Sequence, residues 1–134
     1  MKNIISVLIA TIIAVAAVSC RKAPINGHLD GMWQIMSVEY PSQPTLRPDR
    51  YYLCFYRHTA NLRHYGGFNI GGNLFYDEEA GNLSVEFPYS GTWLGIIGIP
   101  EHTPYTADFK ILKLTRTELV MLLDDSVTYS LRKF

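Results

Sequence analysis

The feature that most restricts this chain is a period of two. Leu83-Ser84-Val85-Glu86-Phe87 sets apolar side chains on one face and polar ones on the other, and Val127-Thr128-Tyr129-Ser130-Leu131-Arg132 does the same. Side chains alternate across a strand, so such a run is a strand with one face buried. Phe109-Lys110-Ile111 and Glu118-Leu119 repeat the pattern more briefly. Eight segments read as strands: 31–40, 51–57, 60–66, 71–77, 82–88, 106–114, 117–123 and 126–134. Tyr51 to Tyr56 is apolar on both faces, as in a strand covered from both sides. After residue 20 no long stretch carries helical periodicity.

The joints between these segments are short. Glu79-Ala80-Gly81-Asn82 supplies a glycine for a tight turn, and Gly66-Gly67, Gly71-Gly72, Thr115-Arg116 and Asp124-Asp125 are similar breaks. Joints this short connect antiparallel neighbours, because parallel strands need a long crossover. Two connectors are longer: Pro41 to Arg50, with three prolines, and Gly91 to Tyr105, which contains Trp93-Leu94-Gly95-Ile96-Ile97-Gly98-Ile99-Pro100. The second is too glycine-rich for a stable helix. The expected fold is all-β, an eight-stranded antiparallel up-and-down barrel over residues 29–134, with a β-sandwich as the competing architecture.

Charge narrows the function classes. Twelve Lys and Arg balance twelve Asp and Glu, so the chain lacks the basic footprint of a nucleic-acid binder. The N-terminus is a different piece. Met1-Lys2-Asn3 precedes an apolar run from Ile4 to Val18, interrupted only by Ser6 and Thr11. This is the layout of a secretory signal peptide, over residues 1–19, and the run falls short of a membrane span. It ends in Ala17-Val18-Ser19-Cys20, which resembles the lipobox of bacterial lipoproteins. The resemblance implies cleavage before Cys20 and acyl chains on that residue, a diacylglycerol on the thiol and a further chain (palmitate or similar) on the amine. Ordinary secretion and an uncleaved anchor are the alternatives. Residues 20–28 then form a lipidated tether. Arg21 and Lys22 follow Cys20, whereas surface-exposed lipoproteins of Bacteroidetes usually carry an acidic run there, so the expected address is the outer membrane, facing the periplasm. With Cys20 acylated, Cys54 is the one free thiol and no internal disulfide forms. Cys54 lies in an apolar strand and reads as buried and inert.

Gly31-Met32-Trp33 opens the first strand and Ser130-Leu131-Arg132-Lys133-Phe134 closes the last. This Gly-x-Trp start, with a mid-chain glycine-rich hairpin and a closing Leu-Arg-Lys-aromatic, resembles the lipocalin (calycin) superfamily, and in particular the small lipocalin-like lipoproteins of Bacteroidetes. The resemblance implies that Trp33 closes the barrel base with Arg132 packed across its indole. It also implies a ligand held inside the barrel, with the first long loop, Pro41–Arg50, as a lid. The chain is shorter than typical lipocalins and lacks their C-terminal helix and disulfides.

No constellation points to catalysis. His28, His58, His64 and His102 form no zinc-ligand motif, although His58 and His64 flank one predicted hairpin and are placed to meet across it. Asp77-Glu78-Glu79 reads as a solvated turn, the serines lack a nucleophile elbow, and Gly66 to Gly72 is not followed by the Lys-Ser/Thr of a phosphate loop. Neither a metal nor a cofactor is expected. Asp125-Ser126-Val127 resembles the Asp-Ser/Thr-aliphatic sequon of periplasmic O-glycosylation, and a plain hairpin turn explains it equally. The expected function is binding of a small apolar or amphipathic molecule, lined by Ile35, Leu53, Phe55, Phe75, Trp93, Phe109 and Tyr129. The alternative is a protein-binding envelope module, such as a small protease inhibitor or an assembly factor, with a filled barrel and Gly91–Tyr105 as its contact.

Overall fold

The computed structural model describes residues 3–5, 24–88 and 105–134. All eight expected strands form: β1 (Gly31–Glu39), β2 (Tyr51–Tyr56), β3 (Thr59–His64), β4 (Phe68–Asp77), β5 (Asn82–Phe87), β6 (Tyr105–Leu114), β7 (Glu118–Leu123) and β8 (Val127–Lys133). Each pairs antiparallel with its neighbour in sequence, and β8 returns to β1 through pairs such as Ile35 with Leu131. The sheet closes on itself, so no strand edge is left open, and the sandwich is excluded. Met36 in β1 and Leu112 in β6 are the extra residues at two register shifts. Bulges of this kind add the bend that closure requires. The β7–β8 hairpin turns through Asp124 (φ 48) and Asp125 (φ 56), the paired positive φ values of a turn whose twist matches its strands.

Inward-facing residues from every strand make one core that includes Trp33, Leu53, Phe55, Leu62, Leu83 and Tyr129. On β2 the two-sided apolar pattern is only partly satisfied. Tyr52 faces outward yet is buried, its ring edge-on to Phe134 at 5.1 Å, whereas Tyr56 is exposed. Cys54 corrects the expectation of a buried thiol: it is half-buried on the outer wall. Partial burial pushes its pKa up, and the hydrogen bond and charge of Arg63 work against that rise.

The barrel has two unlike ends. At one end lie the N-terminal segment, the turns at 57–58, 78–81 and 115–117, and Phe134; we call this the base. At the other lie the loop 40–50, the turns at 65–67 and 124–126, and Pro88 and Tyr105; we call this the mouth. The base is closed by the residues just ahead of β1. A single 3-10 turn, Gly27–Leu29, carries Leu29 into the barrel, where it is fully buried. The Trp33 indole donates from Nε1 to the Leu29 carbonyl at 2.8 Å. Asn26 fixes the turn to the wall, donating from Nδ2 to the Arg57 carbonyl (2.8 Å) and to Asp30 Oδ1 (2.6 Å).

The cation over Trp33 is not Arg132. Lys133 Nζ lies 4.2 Å from the centre of the indole and donates to the carbonyls of Asp30 (2.6 Å) and His28 (3.1 Å). Alternation decides this, because Tyr129, Leu131 and Lys133 share the inward face. Arg132 points out and donates to Gln34 Oε1 at 3.2 Å. The lysine also explains Gly31, whose φ of +136° disfavours side chains and where a Cβ would lie 2.7 Å from Nζ.

Gly72 answers to a harder contact. A Cβ there would lie 2.6 Å from the Glu86 carbonyl oxygen, a backbone atom with nowhere to go. Gly72→Ala should therefore push β4 from β5 and cost about 1–3 kcal/mol, the usual range for overpacking. A urea melt followed by far-UV circular dichroism checks this, and Gly67→Ala, where the added atom has room, is the control.

Candidate functional site

The mouth collects side chains of one kind. Tyr51 begins β2 and Tyr105 begins β6, and both share the inward face with the core residues of their strands. Tyr129 faces in from β8, fully buried, with its ring edge-on to Phe109 at 5.6 Å. Tyr40, just past β1, packs against the same core. The Tyr51 ring lies 4.4 Å from that of His64 across the β2–β3 pair. Tyrosine suits such a place, since its ring covers apolar surface while its hydroxyl keeps a polar partner.

These phenols hold their protons tightly. Burial, with Asp124 and Asp108 adding to it, pushes the Tyr105 hydroxyl up to about 12. Burial also raises Tyr129 well above its ordinary value, assisted by Tyr40, Tyr105 and Asp124. The mouth therefore offers neutral hydroxyls on an apolar wall. The loop expected as a lid folds back along β1 at this end. Leu46 exchanges both backbone hydrogen bonds with Val38, at 2.8 and 2.9 Å, and its side chain packs on the core. Arg50 (φ 60) closes the loop with its guanidinium 5.1 Å over the Tyr65 ring.

Ile35, Leu53, Phe55, Phe109 and Tyr129 all face inward and are buried. They do not line one pocket among the described residues, because they are spread from base to mouth through one packed core. Phe75 is corrected: it stands on the outer wall, 54% exposed, while Leu74 beside it takes the inward place. Both parities of Asn73-Leu74-Phe75-Tyr76 hold an apolar residue, and bulk pointed to the wrong one. Trp93 lies outside the described residues, as do Cys20, His102 and the Gly91–Pro104 stretch offered as a protein contact. The sequence reading left Tyr51 and Tyr105 out of the lining, although their parity with Phe55 and Phe109 was a sufficient signal.

The metal alternative loses its geometry. His58 sits in the β2–β3 turn at the base and His64 ends β3 at the mouth, about 20 Å apart along an extended strand. Among the described residues no three of His, Cys, Asp and Glu come together as a metal site would require. Depressions in the outer wall are open. The first, about 600 Å³, runs over Asn61, Gly71, Asn73, Glu86 and Thr106. Two others, of about 410 and 460 Å³, meet at Asn82 and Ser84.

Two solved structures share this architecture. A lipocalin-like protein from Bacteroides uniformis superposes with a TM-score of 0.65 at 20% identity, over 81% of this chain and all of that one. An uncharacterized protein from Bacteroides eggerthii gives 0.62 at 18% identity, over 79% of this chain and 99% of its own. No curated protein sequence matches. The model of the lipocalin-like domain matches residues 13–134, nearly the whole length, and the chain belongs to that family.

Proposed function

We propose that this protein is a lipid-anchored binding protein of the bacterial envelope, on the outer membrane and facing the periplasm. It takes a small apolar or amphipathic molecule at the mouth of its barrel. The observation that carries this reading is the set of inward tyrosines, Tyr51, Tyr105 and Tyr129, gathered at the one end that Trp33, Leu29 and Lys133 do not close. Their rings supply apolar contact and their hydroxyls orient a polar group. Binding rather than catalysis fits the separation of the histidines and the half-buried, unactivated Cys54. Anchoring and address rest on Ala17-Val18-Ser19-Cys20 and on Arg21-Lys22.

Native mass spectrometry of the full chain from its envelope, before and after organic extraction, tests the reading. We expect a stoichiometric mass excess, beyond the acyl chains, that extraction removes. Tyr51→Ala should weaken rebinding of the extracted molecule about tenfold, roughly the worth of part of an aromatic side chain's burial. A bare mass, with no rebinding of fatty acids or amphiphilic dyes, would favour the protein-binding module. The filled interior supports that second reading, and its partner would be sought by cross-linking in intact cells.

A further inference from the structure

We infer that the base of the barrel rests on the lipid bilayer through a ring of exposed apolar side chains, leaving the mouth turned toward water. The inference rests on the anchoring reading above. Among the described residues, the large exposed apolar side chains of the barrel are not scattered evenly. Ile25 (56% exposed), Tyr56 (64%), Phe75 (54%), Leu112 (53%) and Phe134 (72%) all stand at or near the base, on the N-terminal segment, β2, β4, β6 and the end of β8. The four on strands are distributed around the circumference, one for each pair of strands, and each keeps more than half of its surface exposed, Tyr56 even with the Arg57 guanidinium 5.4 Å over its ring. Among the described residues the exceptions away from the base are Met36, less exposed at its bulge, and Tyr65, alone at the mouth under Arg50. Isolated surface apolar residues need no explanation, but a ring confined to one end does.

The length of chain ahead of the barrel says what meets that ring. Asn26 is buried and hydrogen-bonded to the wall at the base, so the chain arrives at a fixed point on this end. Only Arg21, Lys22 and Ala23 lie between Cys20 and Pro24, a path of four Cα–Cα steps. Even fully extended they span at most about 14 Å. An acylated Cys20 sits at the bilayer surface, and so the base cannot stand far from it. Electrostatics alone would not hold the base there, because Arg57, Lys113, Arg116 and Arg132 are matched in number by Asp77, Glu78, Glu79 and Glu118 at the same end. The contact is apolar, in the manner of side chains that sink into the headgroup boundary beside a lipid anchor. A ligand then enters and leaves the mouth from the aqueous side.

Depth measurement by nitroxide labelling tests this on the full, acylated chain reconstituted into phosphatidylcholine vesicles. Labels are placed at Tyr56→Cys and Leu112→Cys, with Gln43→Cys on the exposed mouth loop as reference, all with Cys54→Ser. Labels at 56 and 112 should lie about 5 Å below headgroup level, gaining collisions with oxygen and losing them with a water-soluble nickel chelate. The label at 43 should remain fully accessible to the chelate. Equal chelate access at 43, 56 and 112, in protein whose mass shows acylation and which floats with the vesicles, overturns the inference and leaves the anchor standing. A mass without acyl chains on Cys20 overturns the anchor and the inference together.

Discussion

Trp33→Ala should leave the barrel at the edge of unfolding at room temperature. The indole is fully buried at the base, and truncating a buried tryptophan costs about 3–5 kcal/mol through lost burial and the cavity left behind. Two further losses follow from its partners. The Leu29 carbonyl loses the Nε1 donor that satisfies it, worth about 1–3 kcal/mol for a buried group. Lys133 loses the ring beneath its ammonium, worth about 1 kcal/mol. Against a total stability of about 5–15 kcal/mol for a domain of this size, little remains. Urea denaturation by circular dichroism measures it. Trp33→Phe separates the terms in part, since it keeps an aromatic ring beneath Lys133 while losing the indole bond and some packed volume, and should cost less than the alanine variant by about 2 kcal/mol or more.

The same melts decide which cation closes the base. Lys133→Met removes donors to the carbonyls of His28 and Asp30 and should cost about 1–3 kcal/mol. Arg132→Ala removes an exposed contact with Gln34 and should stay within about 0.5 kcal/mol of the parent. The reverse order would restore the arginine pairing that the family resemblance implies.

Strand positions were legible because burial on one face leaves a period that residue types alone reveal. Leu83 to Phe87 and Val127 to Arg132 needed nothing else, whereas the mostly short joints favoured a barrel but left a sandwich open, and only the β8–β1 pairing decides between them. Lys133 was less legible. Alternation from Tyr129 through Leu131 already gave it the inward face, but a charged residue at such a position reads as an error unless its reach is considered. A lysine stem is long enough to lie along apolar surface and put its ammonium on carbonyls at the rim. Leu29 and Asn26 were illegible for another reason. They act through a single 3-10 turn, and one turn has no period to detect. Phe75 failed where two adjacent apolar residues compete for one inward place, a choice made by register and not by hydrophobicity.

Alkaline pH should unfold this barrel earlier than its core would suggest, and the mouth tyrosines set the direction. In the folded state the Tyr105 hydroxyl is held up to about 12, chiefly by burial, and Tyr129 is raised well above its ordinary value by the same cause. Unfolded, both return to the ordinary value of 10.0. The folded chain thus keeps protons that the unfolded chain gives up. Their contribution is fully present below pH 10 and is lost as pH rises toward the folded values. For Tyr105 the loss between about pH 10 and 12 is about 3 kcal/mol, at 1.36 kcal/mol per unit, and Tyr129 adds to it with the same sign. Lys133 works the other way, because burial lowers its pKa despite Asp30; folded, it releases its proton sooner, which favours folding as pH approaches 10.5. One partly buried lysine does not offset two buried phenols. Urea midpoints should stay level from pH 8 to 9.5 and fall steeply above 10. Tyr129→Phe preserves the ring on Phe109 and removes the titrating group, so its midpoints should fall less steeply over the same interval. An unchanged slope in both Tyr129→Phe and Tyr105→Phe would mean that these hydroxyls meet water, and the mouth would then be a wet, open rim instead of an apolar wall with neutral hydroxyls set into it.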